Sequence, residues 1–364
     1  MGTIGGTYMI KRRKTRPIQV GSVQVGGDAP ISVQSMITIN PVESKSAITE
    51  INRLAEAGCE LIRVAVPDMA AAKALKKVKA GISIPLIADI HFDYRLALEA
   101  IDSGVDALRI NPGNIGGTDK VEAVIRKAKP KKIPIRIGVN AGSLPIHILK
   151  AYGGHPTADG MVEAALEHVR ILEALDYREM KISIKSTDVP LMIEAYRKLA
   201  DKVDYPLHLG VTEAGTIRQG TVKSAIGIGT LLADGIGDTL RVSLTGDPIN
   251  EVEVGRMILS ALELRSFGAT MISCPTCGRC RVNLFSMAEQ VEKRLKTIKE
   301  PIRVAVMGCV VNGPGEAREA DFGIAGGDGQ GIVFKKGEIL RTVPEDQLVD
   351  ALFHEIDEYI KKES

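Results

Sequence analysis

The chain lacks any long apolar run. No stretch of its 364 residues reaches transmembrane length, which argues against a bilayer-spanning helix. The opening MGTIGGTYMIKRRKTRPIQV has no apolar segment ahead of its basic run, so a secretory leader is not expected. An excess of one charge is also missing. Lys and Arg number 47 against 45 Asp and Glu, a formal net charge of +2. Composition therefore supplies no bulk field for nucleic acid or a membrane surface. No strand-like run is followed by G-x-G-x-x-G with a ribose-binding acid downstream, so no nicotinamide or flavin motif is visible. Cysteine is scarce, and the five present do not form a secreted disulfide pattern. That usage fits a reducing, cytoplasmic setting.

What cysteine there is lies late. Cys274, Cys277 and Cys280 fall three apart in SCPTCGRC, and Cys309 follows in MGCVVNGPGE. Thiolates are soft ligands, suited to zinc or to an iron–sulfur cluster. C-x-x-C alone is weak, because redox pairs and zinc sites share it. No histidine pair completes a zinc finger, and the second segment reads as a strand running into the turn Asn312-Gly313-Pro314-Gly315. A cluster, a structural zinc and structural or redox thiols all remain open on these residues alone.

The ligand set has two readings. Four thiolates are the usual count. Against it, Pro275 suits the first position of a helix, and Leu284, Met287, Ala288, Val291 and Leu295 recur at helical spacing. A helix beginning at Pro275 would rotate Cys280 away from Cys274. Glu316, just past the glycine turn, is then a candidate fourth ligand; its bland alternative is a solvated acid. Cys59, after Gly58, reads as a small buried hydrophobe.

From residue 18 onward the chain has a steady rhythm. A hairpin over residues 18–33 leads into eight short β-rich runs, 31–36, 61–66, 85–90, 107–110, 133–139, 180–185, 207–211 and 240–244, separated by amphipathic segments of helical period. This alternation predicts an α/β chain with an N-terminal TIM (β/α)8 barrel. A doubly wound open sheet is the alternative. After Phe267 the rhythm changes to a cysteine turn, a helix, a strand over 302–311, the glycine-rich hairpin FGIAGGDGQGIVFKKG and a last helix from Glu345. These predict a small α+β domain, with boundaries at residues 1–266 and 267–364. The glycines of that hairpin fit a tight turn better than a phosphate loop. The basic run Lys11–Arg16 reads as a solvated strand edge, and Gly227 and Gly229 as sites of close helix packing.

In a TIM barrel the chemistry sits at the C-terminal strand ends, and here those ends are polar. They carry Arg63; Asp89 and His91; Arg109, Asn111 and Asn114; Arg136, Asn140 and Ser143; Lys181, Ser183, Lys185 and Ser186; His208, Thr212 and Glu213; and Arg241, Ser243 and Thr245. A charge inside a buried strand is costly unless paired or liganded. Any single cation could be paired with Asp89 or Glu213. Four arginines and two lysines together are a kit for phosphate oxygens. They point to an anionic ligand with more than one phosphate. His91 and His208 could equally be satisfied core histidines. Joined to a cluster, such a mouth implies reductive chemistry on a phosphorylated small molecule, with electrons from a carrier protein. A zinc-stabilised phosphate-sugar binding protein and a cluster-dependent lyase without net reduction are the alternatives.

The strings ADIHF, LRINPGNIG, GVNAGSL, LGVTEAG, SCPTCGR and MGCVVNGPGEA resemble those of the bacterial 4-hydroxy-3-methylbut-2-enyl diphosphate synthase family, in order, from about residue 10 to 355. The resemblance implies reductive ring opening and dehydration of 2-C-methyl-D-erythritol 2,4-cyclodiphosphate in isoprenoid precursor synthesis. It implies a [4Fe-4S] cluster, a flavodoxin or ferredoxin donor and a head-to-tail homodimer. It makes Cys274, Cys277, Cys309 and Glu316 the cluster ligands. It makes Arg63, Asp89, His91, Arg109, Asn111, Arg136, Asn140, Lys185, His208, Arg241 and Ser243 the substrate pocket, with Glu213 and Glu316 as catalytic groups. Cys280 lies outside the ligand set that the resemblance implies.

Overall fold

A computed structural model describes residues 3–4, 7–8, 10–111, 115, 117–309 and 319–363. The chain divides into two compact units, Met1–Arg265 and Ser266–Ser364.

The first unit is built on eight parallel strands: β1 (Ser32–Met36), β2 (Leu61–Ala65), β3 (Leu86–Asp89), β4 (Ala107–Ile110), β5 (Ile135–Asn140), β6 (Met180–Lys185), β7 (His208–Leu209) and β8 (Thr239–Leu240). They lie side by side in chain order, β8 pairs β1 and β7, and a bridge between Ile182 and Leu207 joins β6 to β7. The sheet is therefore closed, and the open doubly wound alternative falls. The strands read as near-continuous hydrophobic runs, LIRVA or ALRI, because both faces of a parallel sheet are covered. β7 and β8 are shorter than the sequence suggests. Past Leu209 the two strands still run close together: the Arg241 amide donates to the Leu209 carbonyl at 3.0 Å, and a Cβ on Gly210 would stand 2.5 Å from the carbonyl oxygen of Arg241.

The surrounding helices are α1 (Ser44–Glu56), α2 (Met69–Ala80), α3 (Tyr94–Asp102), α4 (Thr118–Ala128), α5 (Ile146–Ala151), α6 (Ala158–Ala174), α7 (Val189–Ala200), α8 (Ile217–Ala233) and α9 (Pro248–Ala261). Several begin on an aspartate cap. Asp68 accepts from the Ala71 amide at 2.8 Å and Asp188 from the Leu191 amide at 2.9 Å. Each such cap contributes about 1 kcal/mol and fixes the strand-to-helix turn at the mouth. The short α5, after Pro145, has too few residues to show a sequence period.

The hairpin of Ile18–Val20 and Val23–Val25 closes the opposite end. Ile18, Val20 and Val25 pack on Leu61, Ile87 and Ala107 at the starts of their strands. The basic run ahead of it is a solvated edge only at Lys11, Lys14 and Arg16, while Arg12 and Arg13 turn inward. Arg12 donates to the Ala29 carbonyl at 2.6 Å and pairs with Asp238 at 3.3 Å, and Arg13 donates to the carbonyls of Ala200, Val203 and Tyr205. The expectation failed for Arg12 and Arg13 because guanidinium forks satisfy buried carbonyl groups that sequence does not display. Of the paired glycines, Gly227 does sit tight, its would-be Cβ 2.8 Å from Met192, while Gly229 has open space.

The second unit holds a five-stranded mixed sheet: β9 (Thr270–Ser273), β10 (Arg303–Met307), β11 (Phe322–Gly326), β12 (Gln330–Lys335) and β13 (Glu338–Pro344), in that order. β9, β10 and β11 run parallel; β11 to β13 form antiparallel hairpins. The helices α10 (Leu284–Leu295) and α11 (Leu348–Glu363) bury Leu284, Met287, Val291, Leu352 and Phe353 against it.

Two expectations change here. β9 was not foreseen, because it is an exposed edge of only four residues. The helix begins at Leu284, not at Pro275. Its start is set by Asn283, whose side chain accepts from the Ser286 amide at 3.2 Å. The cysteine stretch is a loop.

Candidate active site

Successive side chains of a strand face opposite sides, and the polar residues of β2 to β8 share one parity. Arg63, Asp89, Arg109, Arg136, Lys181, Ser183, Lys185 and His208 are all buried. Two glycines of the same parity make the room. A Cβ on Gly138 would lie 2.9 Å from Nε of Arg109, and one on Gly210 would lie 2.6 Å from Nζ of Lys185. Sequence reasoning missed both, although a glycine inside a strand is itself the signal of close approach.

Asp89 is the hub. Its Oδ1 is 3.1 Å from Nη1 of Arg109, and its Oδ2 is 3.5 Å from Nε of Arg63. The His91 ring lies within 3.2 Å of the same Arg109 nitrogen and 3.5 Å from Asp89. Burial works to raise the Asp89 carboxyl, but Arg63, His91 and Arg109 outweigh it and hold the group well below the usual carboxylate range. Arg241 pairs at 3.3 Å with Glu251 of α9, which also accepts from the Leu244 amide and Ser35. Glu251 was not foreseen, since in sequence it is one acid of an ordinary amphipathic helix.

Beyond these pairs, donor atoms of the cationic group are left over. Among the described residues, Nε of Arg109, Nε and Nη1 of Arg136, Nζ of Lys181, both ring nitrogens of His208 and Nε of Arg241 have no hydrogen-bond partner. The Oδ1 of Asn111 is in the same position. Burial, reinforced by Arg136 and Arg241, pushes Lys185 well below its ordinary value. Burial, then Arg63 and Arg109, does the same to Arg136. Burial, Lys185 and Arg136 together keep His208 neutral, far below the usual imidazole range. A guanidinium keeps its proton, so the stress on Arg136 amounts to a demand for an anion. Native proteins rarely leave so many buried donors unmade.

Two adjoining cavities open at the strand ends. One of about 310 Å³ is lined by Asn140, Ser143, Ser186, Thr212 and Glu213. The other, of about 360 Å³, is lined by Thr212, Glu213, Arg241, Ser243, Thr245 and Glu251. Glu213 stands between them, exposed, with φ of 51°. A non-glycine residue in the left-handed region is uncommon and concentrates at functional sites. A larger cavity of about 560 Å³ lies against Leu166, Arg170, Glu173 and Tyr205 and touches none of these groups. Asn114, expected with this set, lies outside the described residues.

The thiols occupy the second unit. Cys274 follows β9, its amide bonded to the Val306 carbonyl of the neighbouring strand at 3.3 Å. Its Sγ accepts from the Gly308 amide at 3.2 Å. Cys309 follows that glycine and is half-buried, while Cys277 is exposed. Amide and side-chain donation from Arg279 holds the Cys277 thiol below its usual value, a step toward the thiolate that metals bind. Cys280 packs beside Gly308. A Cβ on Gly308 would stand 2.7 Å from its Sγ, and that thiol donates to the Val282 carbonyl at 3.2 Å. The helical argument for its rotation falls with the helix. Soft donors at the tips of two adjacent parallel strands suit an iron–sulfur group in chemistry. Among the described residues, however, no three Cys, His, Asp or Glu are placed to close on one ion. Glu316 lies outside the described residues. Cys59 is buried as expected, and burial pushes its thiol up to about 12.

Residues 15–256 match the model of the GcpE TIM-barrel domain, and residues 270–358 that of the GcpE protein C-terminal domain. A Geobacter sulfurreducens protein called 4-hydroxy-3-methylbut-2-en-1-yl diphosphate synthase (flavodoxin) is 60% identical over 349 residues, 96% of this chain and 99% of its own. Proteins of the same name from Thermodesulfovibrio yellowstonii and Bacillus mycoides are 60% and 57% identical, each over 96% of this chain and 99% and 95% of theirs. Among solved structures, Plasmodium falciparum HPPK-DHPS with pterin and p-hydroxybenzoate superposes with a TM-score of 0.50 at 14% identity, over 68% of this chain and 51% of that one. That likeness speaks for the barrel alone. The two domain models in order and relatives aligned almost end to end place the chain in the GcpE family, that of the 4-hydroxy-3-methylbut-2-en-1-yl diphosphate synthases.

Proposed function

We propose that this chain opens the ring of 2-C-methyl-D-erythritol 2,4-cyclodiphosphate, with loss of water and entry of two electrons, to give 4-hydroxy-3-methylbut-2-enyl diphosphate for isoprenoid synthesis. The observation that carries this reading is the set of unpaired buried donors in the barrel, a charge deficit that a cyclic diphosphate fills. Arg63, Arg109, Arg136, Lys185 and Arg241 take its phosphate oxygens by charge-assisted bonds. Asp89 fixes the angle between Arg63 and Arg109. His91, Asn111, Asn140, His208 and Ser243 add neutral partners for the remaining oxygens and hydroxyls. Glu213, between the two cavities, holds a hydroxyl or moves its proton.

Cys274, Cys277, Cys309 and Glu316 would hold a [4Fe-4S] cluster, which supplies the electrons one at a time when present. The donor in this reading is a flavodoxin, the carrier in the relatives' names, or a ferredoxin. The reading includes a cyclic-diphosphate substrate, a head-to-tail homodimer and a cytoplasmic setting. Among the described residues no helix is long and apolar enough to cross a membrane. The domain limits of 1–266 and 267–364 belong to the same proposal.

The deciding experiment is anaerobic turnover of the cyclic diphosphate with and without a one-electron reductant. Product only with reductant supports the reading. Turnover without it would mean a lyase. Protein without iron–sulfur absorption near about 400 nm would mean a non-redox binding protein.

A further inference from the structure

Below the residues assigned to the substrate lies a titratable group that the proposed chemistry leaves unused. Lys181 sits on β6 one turn of the pleat before Ser183 and two before Lys185, and its side chain is fully buried. Its Nζ has no hydrogen-bond partner among the described residues. Directly across the ladder is Arg136 of β5, with two orphaned nitrogens of its own. Arg63 of β2 also acts on Lys181, which in turn acts on His208 of β7, and Lys185 stands further along the same strand. Asp89 is already engaged by Arg63 and Arg109.

A buried ammonium without a counter-ion sheds its proton. Burial first, then Arg136 and Arg63, brings Lys181 down to about 7. A diphosphate resting on Arg63, Arg109, Arg136 and Lys185 would change both causes at once. It neutralises the two arginines that repel the ammonium, and it adds negative charge of its own.

We propose that Lys181 is a positioning residue that couples diphosphate binding to the uptake of one proton at its Nζ. The proton comes from solvent buffer, and no covalent bond of the ligand changes. This inference rests on the substrate site described above.

The test is titration calorimetry of the full-length, cluster-loaded protein with inorganic pyrophosphate at about pH 8, where a lysine near neutrality starts deprotonated. Running it in two buffers of different ionisation heat counts the protons taken up. Lys181→Met and Lys181→Arg are compared with the wild type, so that protons exchanged by pyrophosphate cancel. The expected result is an uptake larger by about one proton in the wild type than in either variant, shrinking as the pH is lowered toward about 6. Lys181→Arg is decisive even if the methionine variant fails to fold. A fixed charge at 181 depresses Lys185 and His208 further, so uptake on those groups would persist or grow in that variant. Wild-type uptake no larger than that of either variant overturns the inference and leaves the substrate site standing. No pyrophosphate binding by the wild type overturns both.

Discussion

One carboxylate, Asp89, braces two guanidiniums from different strands: Arg109 at 3.1 Å and Arg63 at 3.5 Å. Asp89→Asn keeps the shape and removes the charge. Stripping one partner from a buried ion pair costs about 3–5 kcal/mol, and urea unfolding should show a loss of that order. The carboxyl is held below its unfolded value. Its contribution is therefore complete above the unfolded pKa, about 4, and is lost as the pH falls from there toward the folded value. Wild type and variant should converge in acid.

Among the described residues, Nε and Nη1 of Arg136 are buried with no hydrogen-bond partner. Arg136→Ala should cost about 2–5 kcal/mol of transition-state stabilisation, read as a fall in kcat/KM, with iron and sulfide content unchanged. Wild-type turnover would remove Arg136 from the phosphate site.

Lys181 gives the opposite sign for stability. Its folded pKa of about 7 lies far below that of a free lysine. The unfolded chain therefore binds the extra proton between about pH 7 and 10.4, and stability should rise with pH across that window. Lys181→Met should flatten the slope and stabilise the ligand-free protein near neutrality by on the order of 3 kcal/mol. Thermal melts across that range check both.

Gly138 leaves the space that Arg109 fills. Gly138→Ala places a methyl 2.9 Å from Nε of Arg109. The arginine must shift, so KM should rise severalfold while the cluster absorbance stays as it was. An unchanged KM would show that Arg109 does not depend on this gap.

Cys280 and Glu316 separate the two ligand sets. With Glu316 as the fourth ligand, Cys280→Ser keeps its iron and most of its activity, and Glu316→Ala keeps a cluster but loses most turnover. Cys280 packs beside Gly308, the residue before Cys309, so its substitution tests the four-thiolate set directly. An iron-poor Cys280→Ser protein would establish four thiolates.

The barrel was legible from its alternation of β-rich and helical runs, and the site because its strands carry charges that β-rich runs seldom hold. Arg63, Asp89, Arg109 and Arg136 each interrupt an apolar segment, and burial makes such interruptions expensive. Glu251 was not legible. Its pairing with Arg241 depends on how α9 turns back over β8, and nothing in its own neighbourhood marks it. The start of α10 was misplaced because Pro275 and Asn283 both suit a helix beginning. Only β9, which carries the chain to the cysteines as an extended edge, decides between them. Arg12 and Arg13 look like surface charge until the carbonyls beneath them are known.

The floor of the barrel has a kinetic meaning. Among the described residues, Ile18, Val20 and Val25 cover Leu61, Ile87 and Ala107 at that end. The two cavities beside Glu213 lie at the opposite end, at the strand tips. Substrate and product of the proposed reaction would share that opening. Product should compete with substrate for the free enzyme, and traffic through that passage sets an upper limit on turnover that faster electron supply cannot lift.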